Sequence, residues 1–264
     1  MNLGELGVER ETFEPGLAES VERFRTVLSE PRNQAPPRIV GPGPVLLLGA
    51  PGAGKGTQAD TLAKMWGVPK ISTGDILRAN VANGTALGVE ANRIMKLGGL
   101  VPDRIMNEMV ANRLEFSDTA AGFILDGFPR TIRQAQWLDG YLSTRRRGAV
   151  LGIINMSINL QRLVERVIHR RVCPLCKTVY NTQYLPPKRM GKCDKDGADL
   201  EQRSDDCAEV FQMRLDVFKR ETEPLIRYYR DRNLWIQVDA ELPPSTVTED
   251  IVSRLTQCRM QLSR

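Results

Sequence analysis

No apolar run in the chain approaches the roughly 20 residues that a helix needs to cross a bilayer, and the first residues lack the charged-then-apolar order of a secretory signal. Residues 1 to 43 carry seven glutamates (Glu5, Glu9, Glu11, Glu14, Glu19, Glu22 and Glu30), which argues against an organellar transit peptide. The expectation is a cytoplasmic protein with no membrane partner. Cysteine is scarce and odd in number, five in all, which argues against a secreted disulfide framework. Aromatic residues make up 6% of the chain, and beyond Tyr180 and Tyr184 few interleave with the basic residues Arg170, Arg171, Lys177, Lys188, Arg189, Lys192 and Lys195. A protein that stacks nucleic-acid bases on aromatic platforms is disfavoured, and no nucleic-acid partner is expected. The net charge of +5 is modest and mixed; it suits an enzyme of anionic substrates as well as a nucleic-acid binder and does not choose between them.

What is present is a chain of 264 residues, 41% of them apolar, enough for one large domain or for a core with inserted subdomains. The most informative stretch lies at its centre of chemistry. Val45 to Leu48 is a short apolar run without helical period, read as a buried strand, and it feeds a glycine-rich turn and then a helix through Trp66. Gly49, Gly52 and Gly54 let the backbone bring amide N–H groups against phosphate oxygens, and the new helix points its positive end at the same anion. Lys55 adds a full charge beside the terminal phosphates. The spacing fits G-x-x-x-x-G-K, yet Gly56 stands where the metal-binding hydroxyl usually follows, and a hydroxyl appears only at Thr57.

Residues 1 to 43 read as an extension: a helical spacing of Leu17, Val21, Phe24 and Leu28, then a proline-rich linker ending at Gly41 Pro42 Gly43 Pro44. Beyond the phosphate loop, Val68–Ile71, Phe123–Leu125, Val150–Asn155 and Leu234–Val238 read as strands. Helical patterns lie between them: one from Ser72 or Thr73 that continues through Leu97 to Gly98 Gly99, one with Pro102 at its first position, one bearing Gln134, one over Leu160–Arg171 and a last over Thr246–Gln261. This alternation implies an α/β fold, a P-loop NTPase-like parallel sheet with helices on both faces. Asp126, at the carboxyl end of the third strand, sits where it can hold the waters of a magnesium ion.

Four motifs, GAPGAGKGT over Gly49–Thr57, STGDILR over Ser72–Arg78, LVPD over Leu100–Asp103 and DGFPRTIRQ over Asp126–Gln134, stand in an order that resembles adenylate kinase from about Pro44 onward. The resemblance implies ATP + AMP ⇌ 2 ADP with Mg²⁺. It places ATP on Gly52, Ala53, Gly54, Lys55, Gly56, Thr57, Arg166, Arg170, Val179, Tyr180 and Leu242. It places AMP on Thr73, Arg78, Gly99, Leu100, Val101, Gly127, Phe128, Pro129, Arg130, Gln134, Arg203 and Arg214, with the Gln134 amide reading the adenine edge. Lys55, Arg130, Arg170, Arg203, Arg214 and Asp126 become the catalytic set, because a phosphoryl group in flight spreads charge over three oxygens and needs fixed cations. An AMP phosphate is already largely ionised at neutral pH, so no general base is required, and the single histidine, His169, reads as a helix residue without catalytic role. The implied organisation is a core (44–71, 102–171 and 207–264), a helical AMP-binding insertion (72–101) and a lid (172–206), acting as a monomer.

Cys173-x-x-Cys176 and Cys193-x-x-Asp196, sixteen residues apart, have the spacing of two metal-binding knuckles. Asp194 and Asp199 lie close to the fourth position, and the two-residue gap favours Asp196. Zinc-lid members of the resembled family show the same order, which implies a structural Zn²⁺ with no open coordination site. A redox Cys-x-x-Cys is the alternative; such a motif sits at a helix N-terminus after a strand, whereas the reading here places it after a helix. Cys207 and Cys258 read as ordinary buried or half-buried thiols.

Overall fold

The computed structural model describes residues 43–145, 152–203, 205–230 and 235–262. The extension with its spacing of Leu17, Val21, Phe24 and Leu28, and the expected strand residues Val150 and Leu234, lie outside the described residues.

Five parallel strands, β1 (Val45–Gly49), β2 (Lys70–Ser72), β3 (Ile124–Asp126), β4 (Gly152–Ser157) and β5 (Trp235–Asp239), form one sheet in the spatial order β2, β3, β1, β4, β5. All of β1 is buried, which is why it reads as a continuous apolar run rather than an alternating one. Its side chains divide by strand period. Leu46 and Leu48 join Ile71, Leu125, Phe128 and Ile153 in one core layer, while Val45 and Leu47 join Ile124, Ile154, Ile236 and Val238 in the other. The register sets Leu47 and Ser72 beside Asp126, Gly49 beside Met156, and Ser157 beside Asp239. The carboxyl ends of all five strands therefore open on one edge, where ligands bind in sheets of this kind.

Helix α1 (Lys55–Trp66) follows β1, and α2 (Thr73–Ala82), α3 (Ala86–Lys96) and α4 (Asp103–Leu114) lie between β2 and β3. The single helical pattern expected from Ser72 to Leu97 is in fact two helices. Asn83 and Gly84 close the first, and Thr85 caps the second by accepting a bond from the Gly88 amide at 3.0 Å. Pro102 precedes α4 rather than opening it, and its carbonyl accepts the Met106 amide. Helix α5 (Ile132–Thr144) carries Gln134, and α6 (Leu160–Ile168) follows β4.

A second correction concerns the helix expected over Leu160–Arg171. It stops at Ile168, and Arg170–Val172 forms strand β6, paired antiparallel with β7 (Val179–Asn181). Cys173-x-x-Cys176 thus follows a strand, but a tight turn occupies 174–176 and no helix begins there. Helices α7 (Ala208–Val217) and α8 (Glu223–Arg230), joined by a π-helical turn over Phe218–Thr222, occupy a stretch for which the sequence pattern indicated no element. Helix α9 (Pro244–Leu262) packs on β5 and α1. Among the described residues, no helix is long and apolar enough to cross a membrane.

Candidate active site

The phosphate loop begins where β1 runs out of room. Gly49 has φ +140°, and a Cβ there would lie 2.7 Å from the Met156 carbonyl oxygen of the neighbouring strand, so only glycine lets the chain leave the sheet at this point. The turn that follows delivers Lys55 to the start of α1. Its Nζ donates to the Gly49 and Ala50 carbonyls, each at 2.8 Å, so the ammonium is held across the mouth of the loop. Burial lowers its pKa to about 8, and the charges of Arg130, Arg214 and Arg170 act in the same direction against the opposing pull of Asp126. The Asp126 carboxylate lies 3.3 Å from where a Cβ of Gly56 would stand. The missing side chain at position 56 keeps that carboxylate clear.

Of the arginines named from the sequence, all but Arg166 converge from separate parts of the chain. Arg130 donates from Nε to the Gly127 carbonyl at 2.8 Å, and burial, then the charges of Arg214 and Arg78, bring it down to about 10. Arg203 is also lowered to about 10, by burial and then by Arg78 and Arg170. Arg214 donates to Asp205 at 2.8 Å and lies 3.8 Å from Asp206; burial and the charges of Arg170 and Arg78 lower it as well. Arg170 is the exception. Its guanidinium grips Asp206 with two bonds, Nε to Oδ2 at 2.7 Å and Nη2 to Oδ1, and although burial opposes it, this carboxylate holds the arginine above its ordinary value. Lys55, Arg78, Arg130, Arg170, Arg203 and Arg214 therefore feel one another's charge around one space, with Asp126, Asp205 and Asp206 among them as the opposing carboxylates. Such an excess of fixed cations favours a polyanionic ligand.

Arg166 stands apart from that ring. It donates to the Ala240 carbonyl at 2.7 Å, its nearest charges are Glu241, Arg162 and Asp239, and burial lowers its pKa. Leu242, two residues beyond Ala240, is half exposed. His169 caps the end of α6, with its ring nitrogen 3.2 Å from the Thr182 hydroxyl.

On the other flank, Thr73 is fully buried and donates to the Gly127 carbonyl at 3.0 Å. Phe128 is buried against Trp137 in edge-to-face packing at 6.0 Å, so it offers a ligand its backbone only, next to the cis bond to Pro129. Gly99 donates to the Ile94 carbonyl, and Leu100 and the buried Val101 carry the chain from α3 to α4. The Gln134 side chain is buried and already bonded: its Nε2 donates to Asp103 at 2.7 Å and its Oε1 accepts the Arg130 amide at 2.7 Å. One N–H and one lone pair of the amide remain. Sequence reasoning assigned no role to Asp75, which binds Arg78 at 2.5 Å and is held near 2 by that arginine and by Lys70 despite its burial. The spacing of three residues within STGDILR was the available signal.

The cysteine cluster assembles. The Sγ atoms of Cys173, Cys176 and Cys193 and a carboxylate oxygen of Asp196 all lie within 4.8 Å of one another. Cys176 and Cys193 are 3.5 Å apart and Cys173 is 3.2 Å from Asp196. Zinc–sulfur bonds of about 2.3 Å at tetrahedral angles set sulfurs roughly 3.8 Å apart, so this donor set is compatible with Zn²⁺. The two knuckles have the same backbone. Lys177 (φ 60°) and Gly197 (φ 74°) each return an amide to the first cysteine's carbonyl, and Cys173 and Cys193 each donate to the residue five positions on. The Tyr180 side chain is buried in this small core, with its hydroxyl 3.5 Å from the Cys193 sulfur and accepting the Asp194 amide at 2.8 Å. Only its backbone, with Val179, is left to face a nucleotide. Cys207 is exposed rather than buried, and the Cys258 side chain lies outside the described residues.

The sequence profile of the adenylate kinase family matches residues 47–234. An adenylate kinase of Caldanaerobacter subterraneus subsp. tengcongensis is 45% identical over 211 residues, 80% of this chain and 95% of that one. One of an Anaeromyxobacter species is 49% identical over 195 residues, 74% of this chain and 91% of its own. One of Methanocella arvoryzae is 45% identical over 206 residues, covering 78% and 95%.

Proposed function

Because the chain belongs to the adenylate kinase family, we propose that its ring of cations holds ATP and AMP tail to tail and moves the γ-phosphoryl group between them, giving two ADP reversibly. The protein is a phosphotransferase, and the observation that carries the assignment of roles is the convergence of Lys55 and five arginines on one space. One nucleotide would not use them all. A triphosphate and a monophosphate meeting end to end supply the negative charge that so many half-buried cations call for.

In this reading the amides of Gly52, Ala53, Gly54, Gly56 and Thr57 and the Lys55 ammonium hold the ATP phosphates, with Arg166 and the backbone near Leu242, Val179 and Tyr180 toward the base. Thr73, Arg78, Arg130 and Gln134, with the backbone of Gly99, Leu100, Val101, Gly127, Phe128 and Pro129, hold AMP. Arg170, Arg203 and Arg214, braced by Asp205 and Asp206, face the phosphoryl group in transfer. Catalysis is positioning in line plus charge stabilisation. Mg²⁺ entering with ATP would neutralise phosphate charge, and Asp126 would hold its water. Residues 72–101 form the AMP-binding insertion and 172–206 a lid stapled by Zn²⁺ on Cys173, Cys176, Cys193 and Asp196. Closure of the lid removes water, which would otherwise compete as acceptor.

The test is a coupled assay of AMP, GMP, CMP and UMP with MgATP, run alongside ATP formation from ADP alone. AMP is expected to exceed each of the others by about 100-fold or more in kcat/KM, since a site built to hydrogen-bond one base edge leaves groups unpaired with another. Turnover confined to a pyrimidine nucleotide would overturn the assignment.

A further inference from the structure

Gln134 can serve as a reader only if it is prevented from rotating. A glutamine amide presents a donor on one side and an acceptor on the other, and a half-turn about its last bond exchanges them. Adenine offers an amino donor at position 6 and an acceptor at N1. A 6-oxopurine offers the reverse, an acceptor at position 6 and an N1–H donor. A free glutamine would satisfy either base by turning over.

We infer that Asp103 is the specificity-determining residue of this site, a positioning group that locks the Gln134 amide in the orientation complementary to a 6-aminopurine. The inference rests on the reading of Gln134 as the group that meets the AMP base. Its physical content is in the contacts. The Asp103 carboxylate only accepts, and it takes the Gln134 Nε2–H at 2.7 Å. The Arg130 backbone amide only donates, and it gives to Gln134 Oε1 at 2.7 Å. Turning the amide over would set oxygen against carboxylate and N–H against N–H, leaving four polar groups unpaired around a side chain that is almost wholly buried. Asp103 is itself fixed. It is the first residue of α4, and its second oxygen accepts the Thr131 hydroxyl at 2.9 Å, while Thr131 caps α5 by accepting the Gln134 backbone N–H at 3.1 Å. The lock therefore spans two helices, with a carboxylate from one aimed at the amide of the other.

Inosine 5′-monophosphate is the probe, because it differs from AMP only at the edge in question. Asp103→Asn removes the obligation to accept: an asparagine amide pairs with Gln134 in either orientation. The ratio of kcat/KM for AMP over that for the inosine nucleotide is expected to fall about tenfold or more, mostly through KM, with kcat for AMP within about threefold. Asp103→Ala, which leaves the Arg130 backbone N–H as the one remaining constraint on the Gln134 amide, is expected to move the ratio in the same direction and serves if the first variant does not fold. Gln134→Leu separates the two levels of the argument. If Gln134→Leu collapses the ratio while both Asp103 variants keep it, Asp103 has no orienting role and the inference fails alone. If the ratio also survives Gln134→Leu, the reading of Gln134 falls and takes the inference with it.

Discussion

Lys55→Met is expected to lower kcat/KM for ATP by about 1,000-fold, roughly 4 kcal/mol of transition-state stabilisation, while moving the melting temperature of the unliganded protein by no more than about 5 °C. The two halves have different origins. In the reaction, the ammonium sits beside phosphates whose charge rises toward the transition state, in a space from which water is displaced, and a thioether cannot replace it. In the empty protein the same ammonium is costly. Burial and three neighbouring guanidinium groups bring its pKa from 10.5 to about 8, so folding disfavours its protonated form. That penalty is present in full below pH 8 and fades as pH rises from 8 toward 10.5, as for any group whose folded value is depressed. The shift amounts to about 3 kcal/mol that methionine recovers at pH 7. Against it stand two hydrogen bonds, to the carbonyls of Gly49 and Ala50 at 2.8 Å, each contributing about 1.5–3 kcal/mol as charge-assisted contacts. The two effects offset when each bond contributes near the lower end of that range. Steady-state kinetics and a thermal melt on the same preparation check both, and near-parental turnover would remove Lys55 from the site.

The same reasoning explains why the site is expensive to keep empty. Arg130 and Arg203 are both depressed to about 10 by burial and by one another's neighbours. Asp205 and Asp206 brace Arg214 and Arg170 without cancelling the excess of positive charge. Stability has been given up here for function, and nucleotide binding returns it.

Much of this was legible in the chain, for a physical reason. A phosphate loop needs glycine, lysine and a helix start at fixed offsets, so Gly49 to Thr57 announces itself locally. Thiolate ligands for one ion need short, repeated gaps, so Cys173, Cys176, Cys193 and Asp196 do the same. What could not be read depends on contacts made across the fold. Arg170 looks helical by pattern, yet it lies on a strand because Val172 finds partners in Val179 and, through its backbone, in Glu201. That the Tyr180 ring packs against Cys173 and Cys193 likewise depends on the fold. The stretch over Ala208–Arg230 mixes charged and apolar residues around each turn, and a π-helical turn at Phe218–Thr222 interrupts its period. The partnership of Asp103 with Gln134 joins residues that are 31 positions apart, a distance at which spacing carries no information.

Cys193→Ser is expected to drop bound zinc from near one atom per chain to a small fraction and to lower the melting temperature by roughly 10 °C, the equivalent of about 4 kcal/mol in a domain of this size. The size of the effect follows from what else holds the segment over 172–206. Its buried core consists of Cys173, Tyr180 and Cys193, with Ala198 and Leu200 packed against it. Ordering each residue costs about 1.5 kcal/mol, and a core of that size returns a small part of the total, so the coordinate bonds must supply the rest. Loss of one thiolate also removes a neighbour of Tyr180, whose hydroxyl lies 3.5 Å from the Cys193 sulfur. Cleavage by a protease should consequently appear within 172–206 before the sheet unfolds. Cys207→Ser is the control: that thiol is exposed and outside the cluster, and its replacement should change neither zinc content nor melting. Stoichiometric zinc in the Cys193 variant, measured by atomic emission, would show that the ligand set proposed here is wrong.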